Sequence, residues 1–199
     1  MLQLKSFPTR FIHIFNPAIV LALAFLAFIF DEQLADILIY NRTLVTQGEY
    51  WRYLTGHFLH TNGNHFMLNA AAVVLLWALH GQYYNHINYW ITFIVSALVC
   101  GLGIHWFSLD ISLYVGLSGV LHGFFVWGAL MDIKHQEKTG YLLLIGVILK
   151  IAHEQFYGAS ADIEAFINSS VATDAHMFGA IGGLLAFIIC YQLDKPVDA

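Results

Sequence analysis

Residues 114–123 read Tyr114-Val-Gly116-Leu-Ser118-Gly119-Val-Leu-His122-Gly123. They open an apolar segment that continues to Met131, yet they carry a hydroxyl, an imidazole and three glycines. Polar side chains inside a membrane are costly unless something faces them, so a helix bound for lipid has little reason to collect them. In a helix, Ser118 and His122 are four apart and lie on one face, one turn from each other. Gly116 and Gly119 flank the serine and leave its backbone open to close approach. Two readings fit this stretch alone. One is a nucleophile at the mouth of a helix. The other is a small-residue packing face whose serine bonds back to its own helix, as membrane helices commonly do.

The rest of the chain favours a membrane setting. Of its 199 residues, 59% are hydrophobic and 11% charged, against roughly 25% charged in soluble domains. This composition reads as an all-α integral membrane protein, and the length suits a single domain over 1–199. With a net charge of -5 and no basic run, nucleic acid is not an expected partner; the lipid bilayer is. Cys100 and Cys190 sit inside apolar segments in different halves of the bilayer, so buried free thiols are expected rather than a disulfide. The first apolar run is long enough to span and has no small-residue cleavage site, so it is not read as a secretory signal.

Six spans emerge, each needing roughly 20 residues. They are residues 17–30 (with a start a few residues earlier), 57 or 65 to 79, 89–106 with an interruption at Gly101-Leu102-Gly103, 113–131, 141–157 and 171–191. The long connection 31–56 is amphipathic and rich in interfacial aromatics. Gly158 to Ser170 reads as a polar, small-residue loop able to act as a lid. Lys5, Arg10, Lys134, Lys138 and Lys195 fall on one side. Arg42 and Arg52 fall on the other, with Asp31, Glu32, Asp36, Glu49, Asp110, Asp162, Glu164 and Asp174. The positive-inside rule therefore expects both termini in the cytoplasm.

This topology brings polar residues together. Spans two, four and six enter from the outer face. Their first turns carry His57, His60, His65 and Asn69; Ser118 and His122; Asp174 and His176. Lys150 and Glu154 lie in the later half of span five, which leaves toward that face. At ~1.5 Å per residue all of these groups reach one depth. Ionisable residues at one depth of a membrane point to a site.

The residues now support a resemblance. Gly116-Leu-Ser118-Gly119 resembles the GxSG nucleophile motif of rhomboid intramembrane serine proteases. Ala175-His176-Met-Phe-Gly179-Ala-Ile-Gly-Gly183 is similar to their sixth-span motif, His65 to Asn69 to their HxxxN pattern, and Trp51-Arg52 to the pair in their first loop. Ser118-Gly-Val-Leu-His122-Gly123 and the Lys150 to Glu154 pattern look closest to the rhombosortase branch. The resemblance implies a six-transmembrane-helix rhomboid-like bundle in a bacterial inner membrane, with its site toward the periplasm. Ser118 would be the nucleophile and His176 its base, a pair without an acidic third member. His65 and Asn69 would donate to the oxyanion. Gly116, His122, Lys150 and Glu154 would support the pair. Gly179 and Gly183 would let span six approach span four.

Where many rhomboids place a tyrosine stacked on the catalytic histidine, this chain has His122. Glu154 can bond to either imidazole, or it can simply neutralise Lys150 four residues away. The implied substrates are membrane-anchored proteins with a single transmembrane helix, and in the rhombosortase case C-terminal Gly-Gly sorting tails. The alternative is a catalytically inactive relative that binds membrane clients. No cofactor is expected. A zinc site from His57, His60 and His65 is not expected either, since no acid shares their segment. His57 and His60, with His80, His86 and His135, are expected at the membrane interface. Arg52 is expected to cap local carbonyls, and Asp174 to cap span six.

Overall fold

The apolar segments fold as helices whose ends are set by identifiable local groups. The structure, a computed structural model, describes residues 7–193; Lys5 and Lys195, used above for orientation, lie outside the described residues. Helix α1 (Phe11–Ile29) starts ahead of the purely apolar run and carries Pro17 inside it. The first connection folds as α2 (Asp31–Leu38), strand β1 (Tyr40–Asn41), α3 (Arg42–Thr46) and α4 (Arg52–Thr55). Helix α5 (Gly63–His80) is capped by Asn62, whose side chain accepts the His65 N–H at 2.8 Å. Helix α6 (His86–Phe107) opens on a reciprocal capping box between Asn85 and Asn88.

Two expected boundaries move. Helix α6 runs unbroken through Gly101-Leu102-Gly103. These glycines are packing sites, since a Cβ on Gly101 would meet the Tyr53 ring at 2.9 Å and one on Gly103 the Phe178 ring at 2.2 Å. The fourth helix does not begin at Leu113. Leu113–Tyr114 is strand β2, paired antiparallel with β1, and α7 (Ser118–Lys134) starts at the serine itself. The cause is Gly116, whose φ of +122° is incompatible with a right-handed helix running back through it. Helix α8 (Thr139–Tyr157) leads through an 89° bend into the short α9 (Ala161–Ile167), and α10 (Thr173–Leu193) closes the described chain.

Helices α1, α5, α6 and α10 are long and apolar enough to cross a membrane, and α8 with α9 passes the same test as a bent pair. Helix α7, 17 residues long, is the enclosed helix at the centre, with Val120, Phe124, Trp127 and Ala129 buried. The architecture is an all-α, six-helix membrane bundle. Its outward side chains are apolar, among them Phe25, Leu142, Leu149 and Ile188, as a lipid solvent requires. Helices α6, α7 and α10 form the tightest trio. The α8 helix is the loosest, with Gly140 and Val147 its buried residues.

Two arginines hold the first connection. Arg52 is 4% exposed and donates to Ile39 O at 2.7 Å, Asp36 O at 2.9 Å and the Glu49 carboxylate at 2.7 Å. Arg42, whose role the sequence did not suggest, closes the end of α6 by donating to the carbonyls of Ile104, His105, Ser108 and Ile111. Three of the histidines pack inside the protein. His57, His60 and His80 are buried. Gly128 leaves the space that the His80 ring fills, and Asp132 Oδ2 lies 3.5 Å from its Nε2. His86 and His135 are exposed at helix ends. Cys100 and Cys190 are both buried.

Candidate active site

The serine stands where three constraints meet. Gly116 must be a glycine, both for its positive φ and because a Cβ there would lie 2.9 Å from the His65 ring. Its N–H donates to Gly56 O at 3.2 Å. Its carbonyl accepts the Tyr114 hydroxyl at 2.7 Å and lies 3.3 Å from His57 Nδ1. The turn ahead of Ser118 is thus tied to the first connection, and α7 begins at the serine itself. Helix α10 approaches from the other side on glycines. A Cβ on Gly179 would sit 1.8 Å from Gly119 O, and one on Gly183 2.0 Å from Gly123 O. This closeness brings His176 Nε2 to 3.0 Å from Ser118 Oγ across 58 positions of sequence.

Behind the histidine the family pattern implied no acid, and here the structure departs from it. Glu154 Oε2 lies 2.8 Å from His176 Nδ1 and 2.7 Å from Lys150 Nζ. Lys150 Nζ also lies 2.7 Å from His122 Nε2, and His122 Nδ1 lies 2.8 Å from Ser118 O. The partners assign the protons. A carbonyl facing His122 Nδ1 requires N–H there, which leaves Nε2 to accept from the ammonium. His176 Nδ1 faces both the Glu154 carboxylate at 2.8 Å and the Lys150 ammonium at 3.1 Å; with the closer carboxylate as its partner, N–H sits on Nδ1 and Nε2 accepts from the Ser118 hydroxyl. The two rings stack with centroids 4.1 Å apart, 19° from parallel. Lys150 and Glu154 do form an ion pair, but each also reaches an imidazole, so self-neutralisation does not exhaust their contacts.

Ser118, His122 and His176 open onto a cavity of about 690 Å³ that His65 and Asn69 also line. His65 Nδ1 lies 3.4 Å from the Thr61 N–H nitrogen and 3.1 Å from Thr61 Oγ1. Asn69 Nδ2 donates to His65 O at 3.2 Å. The expected loop over the mouth contains α9, and Ile163 and Ile167 from it line the cavity. It docks on the start of α5, where Thr61 donates to Ile167 O at 2.7 Å and Asn64 to Phe166 O at 3.0 Å. Asp174, in the first turn of α10, accepts the Ser108 hydroxyl, which ties α6 to α10.

Among the described residues, His122, Glu154 and His176 bring metal-type ligand atoms within 4.8 Å of one another. Lys150 Nζ already lies between them, 2.7 Å from two and 3.1 Å from the third. A fixed ammonium takes the place a cation would need. The buried His57 faces Ala97 O and Gly116 O with its two nitrogens, which leaves neither free to ligate. Sequence reasoning missed Thr61, Tyr114 and His57 as the residues that set the serine turn and the His65 ring. Their partners are distant in sequence or are backbone atoms, and no spacing encodes them.

A polar pair held across two helices of an all-α membrane bundle, open to a cavity at one end, defines a class rather than one protein. Residues 47–193 match the model of the Rhomboid domain family, and the chain belongs to the rhomboid family. Over 148 residues it is 26% identical to the Bacillus subtilis (strain 168) protein named "Putative rhomboid protease YdcA", an alignment covering 74% of this chain and 71% of that one.

Proposed function

We propose that the protein is an intramembrane serine endopeptidase in which Ser118 attacks and His176 acts as its base. The observation that carries this reading is the 3.0 Å approach of His176 Nε2 to Ser118 Oγ at the wall of the 690 Å³ cavity. A serine hydroxyl is a weak nucleophile until an adjacent base takes its proton. The relative's name as a protease points the same way.

His65 and Asn69, with the N–H groups at the start of α7, are the oxyanion donors in this reading. Substrates are membrane-anchored proteins with a single transmembrane helix, cut beside that helix; in the rhombosortase reading they are exported proteins with C-terminal Gly-Gly tails. The protein sits in a bacterial inner membrane with both termini cytoplasmic and the cavity open to the periplasm. Arg10, Lys134 and Lys138 all lie at the end of the bundle away from Ser118, in keeping with that orientation.

The test is cleavage of a tagged single-span reporter with a Gly-Gly juxtamembrane region by purified enzyme in liposomes. Ser118→Ala and His176→Ala are expected to abolish product. Undiminished cleavage by either variant overturns the assignment, and binding without cleavage by the wild type moves the client-binding alternative ahead.

A further inference from the structure

We infer that Glu154 is the positioning acid of a Ser118–His176–Glu154 triad, supplied from α8 and kept ionised by Lys150. The inference rests on the serine-protease reading above and adds a third member to it. Four observations carry it. The carboxylate lies 2.8 Å from the histidine nitrogen that faces away from the serine. The opposite ring nitrogen is 3.0 Å from Ser118 Oγ, so acid, imidazole and hydroxyl stand in series. The Glu154 side chain is 11% exposed, so its negative charge is poorly screened where the imidazolium would form. Lys150 Nζ, 2.7 Å from the same carboxylate oxygen, offsets the cost of an anion at this depth.

As the Ser118 Oγ–carbon bond forms, the Oγ proton passes to His176 Nε2 and the carbonyl electron pair moves onto the oxygen. The imidazolium then holds N–H at both nitrogens, and Glu154 accepts the Nδ1–H throughout without taking the proton. As the carbon–nitrogen bond breaks, the Nε2 proton leaves with the amine. Water repeats the sequence to release the acyl group, giving its own proton to Nε2. In each half, positive charge appears on the ring and is met by a carboxylate already in place. In such triads the acid fixes the tautomer and stabilises the imidazolium.

His122 completes the arrangement. Its Nε2 accepts from Lys150 and its ring stacks on His176. The ammonium is thereby held by Glu154 and His122 together, and the His176 ring is clamped between a flat neighbour and an anion.

The test compares wild type, Glu154→Gln, Glu154→Asp, Ser118→Ala and His176→Ala on the single-span reporter. It follows kcat, KM, thermal midpoint and the rate at which a fluorophosphonate labels the serine. Glu154→Gln is expected to lower kcat at least tenfold with KM within twofold, to slow labelling in parallel and to leave the thermal midpoint unchanged. Glu154→Asp is expected to recover part of the loss, because it restores the charge. A Glu154→Gln enzyme within twofold of wild type in kcat overturns the inference. So does a loss shared equally by both Glu154 variants together with a lowered midpoint, which marks a packing role. If Ser118→Ala or His176→Ala still cuts, the protease reading itself fails; a wild type that neither cuts nor labels overturns both.

Discussion

A Cβ atom on Gly179 would sit 1.8 Å from the carbonyl oxygen of Gly119. The obstacle is backbone on a neighbouring helix and cannot rotate away, so the helices must part. Gly119 follows the serine and Gly179 lies three positions after the histidine, which makes this crossing the one that sets their separation. Helix pairs in lipid rely on such close approach, since lipid tails offer no hydrophobic drive to associate.

Gly179→Ala is therefore expected to reduce cleavage at least tenfold and to destabilise the bundle by ~1–3 kcal/mol, the usual range for overpacking. Thermal unfolding in detergent, run beside the reporter assay, reads both. Gly146→Ala is the control. Nothing lies within 4 Å of a Cβ there, and removing a helix-interior glycine is expected to stabilise by roughly 0.5–1 kcal/mol.

His65 and Asn69 touch neither Ser118 Oγ nor His176 in the hydrogen-bonded network, yet both line the cavity. As oxyanion donors they matter only once charge develops. Substituting either by alanine is expected to lower kcat by about 10²–10³ with little change in KM. Equal losses in kcat/KM through KM alone would instead mark them as substrate-contact residues.

His122 stacks on His176 at 4.1 Å. If the flat contact is its main service, His122→Tyr, which restores the residue many rhomboids use, keeps kcat within tenfold of wild type. His122→Ala removes both the stack and the Lys150 contact and is expected to lose more. The comparison of the two kcat values reads the stack directly.

Arg52 donates to two carbonyls and a carboxylate while 4% exposed. Arg52→Ala strands those acceptors, and each buried group left unsatisfied costs roughly 1–3 kcal/mol. A fall in thermal midpoint is expected, larger than that of Glu49→Gln, which leaves the two carbonyl bonds intact. Arg52→Lys is expected to rescue only part of the loss, because a point-charge ammonium cannot match the guanidinium fork.

The positions of the helices, the membrane setting and the convergence of polar residues at one depth were legible along the chain. Each follows from hydrophobic runs and a 1.5 Å rise, which are properties of consecutive residues. Ser118, His176 and the glycines of α10 were legible too, because their motifs keep fixed local spacing. The start of α7 was not: Gly116 adopts φ +122° because β2 pairs with β1, more than seventy positions earlier in the sequence. The continuity of α6 likewise depends on Tyr53 and Phe178 filling the space beside Gly101 and Gly103. Most consequentially, spacing alone left Glu154 with two partners to choose from, Lys150 on its own helix or an imidazole on another. Only the tertiary structure decided that it meets both, because side-chain direction across helices depends on how α8 rotates and tilts against α7 and α10, and no local pattern carries that angle.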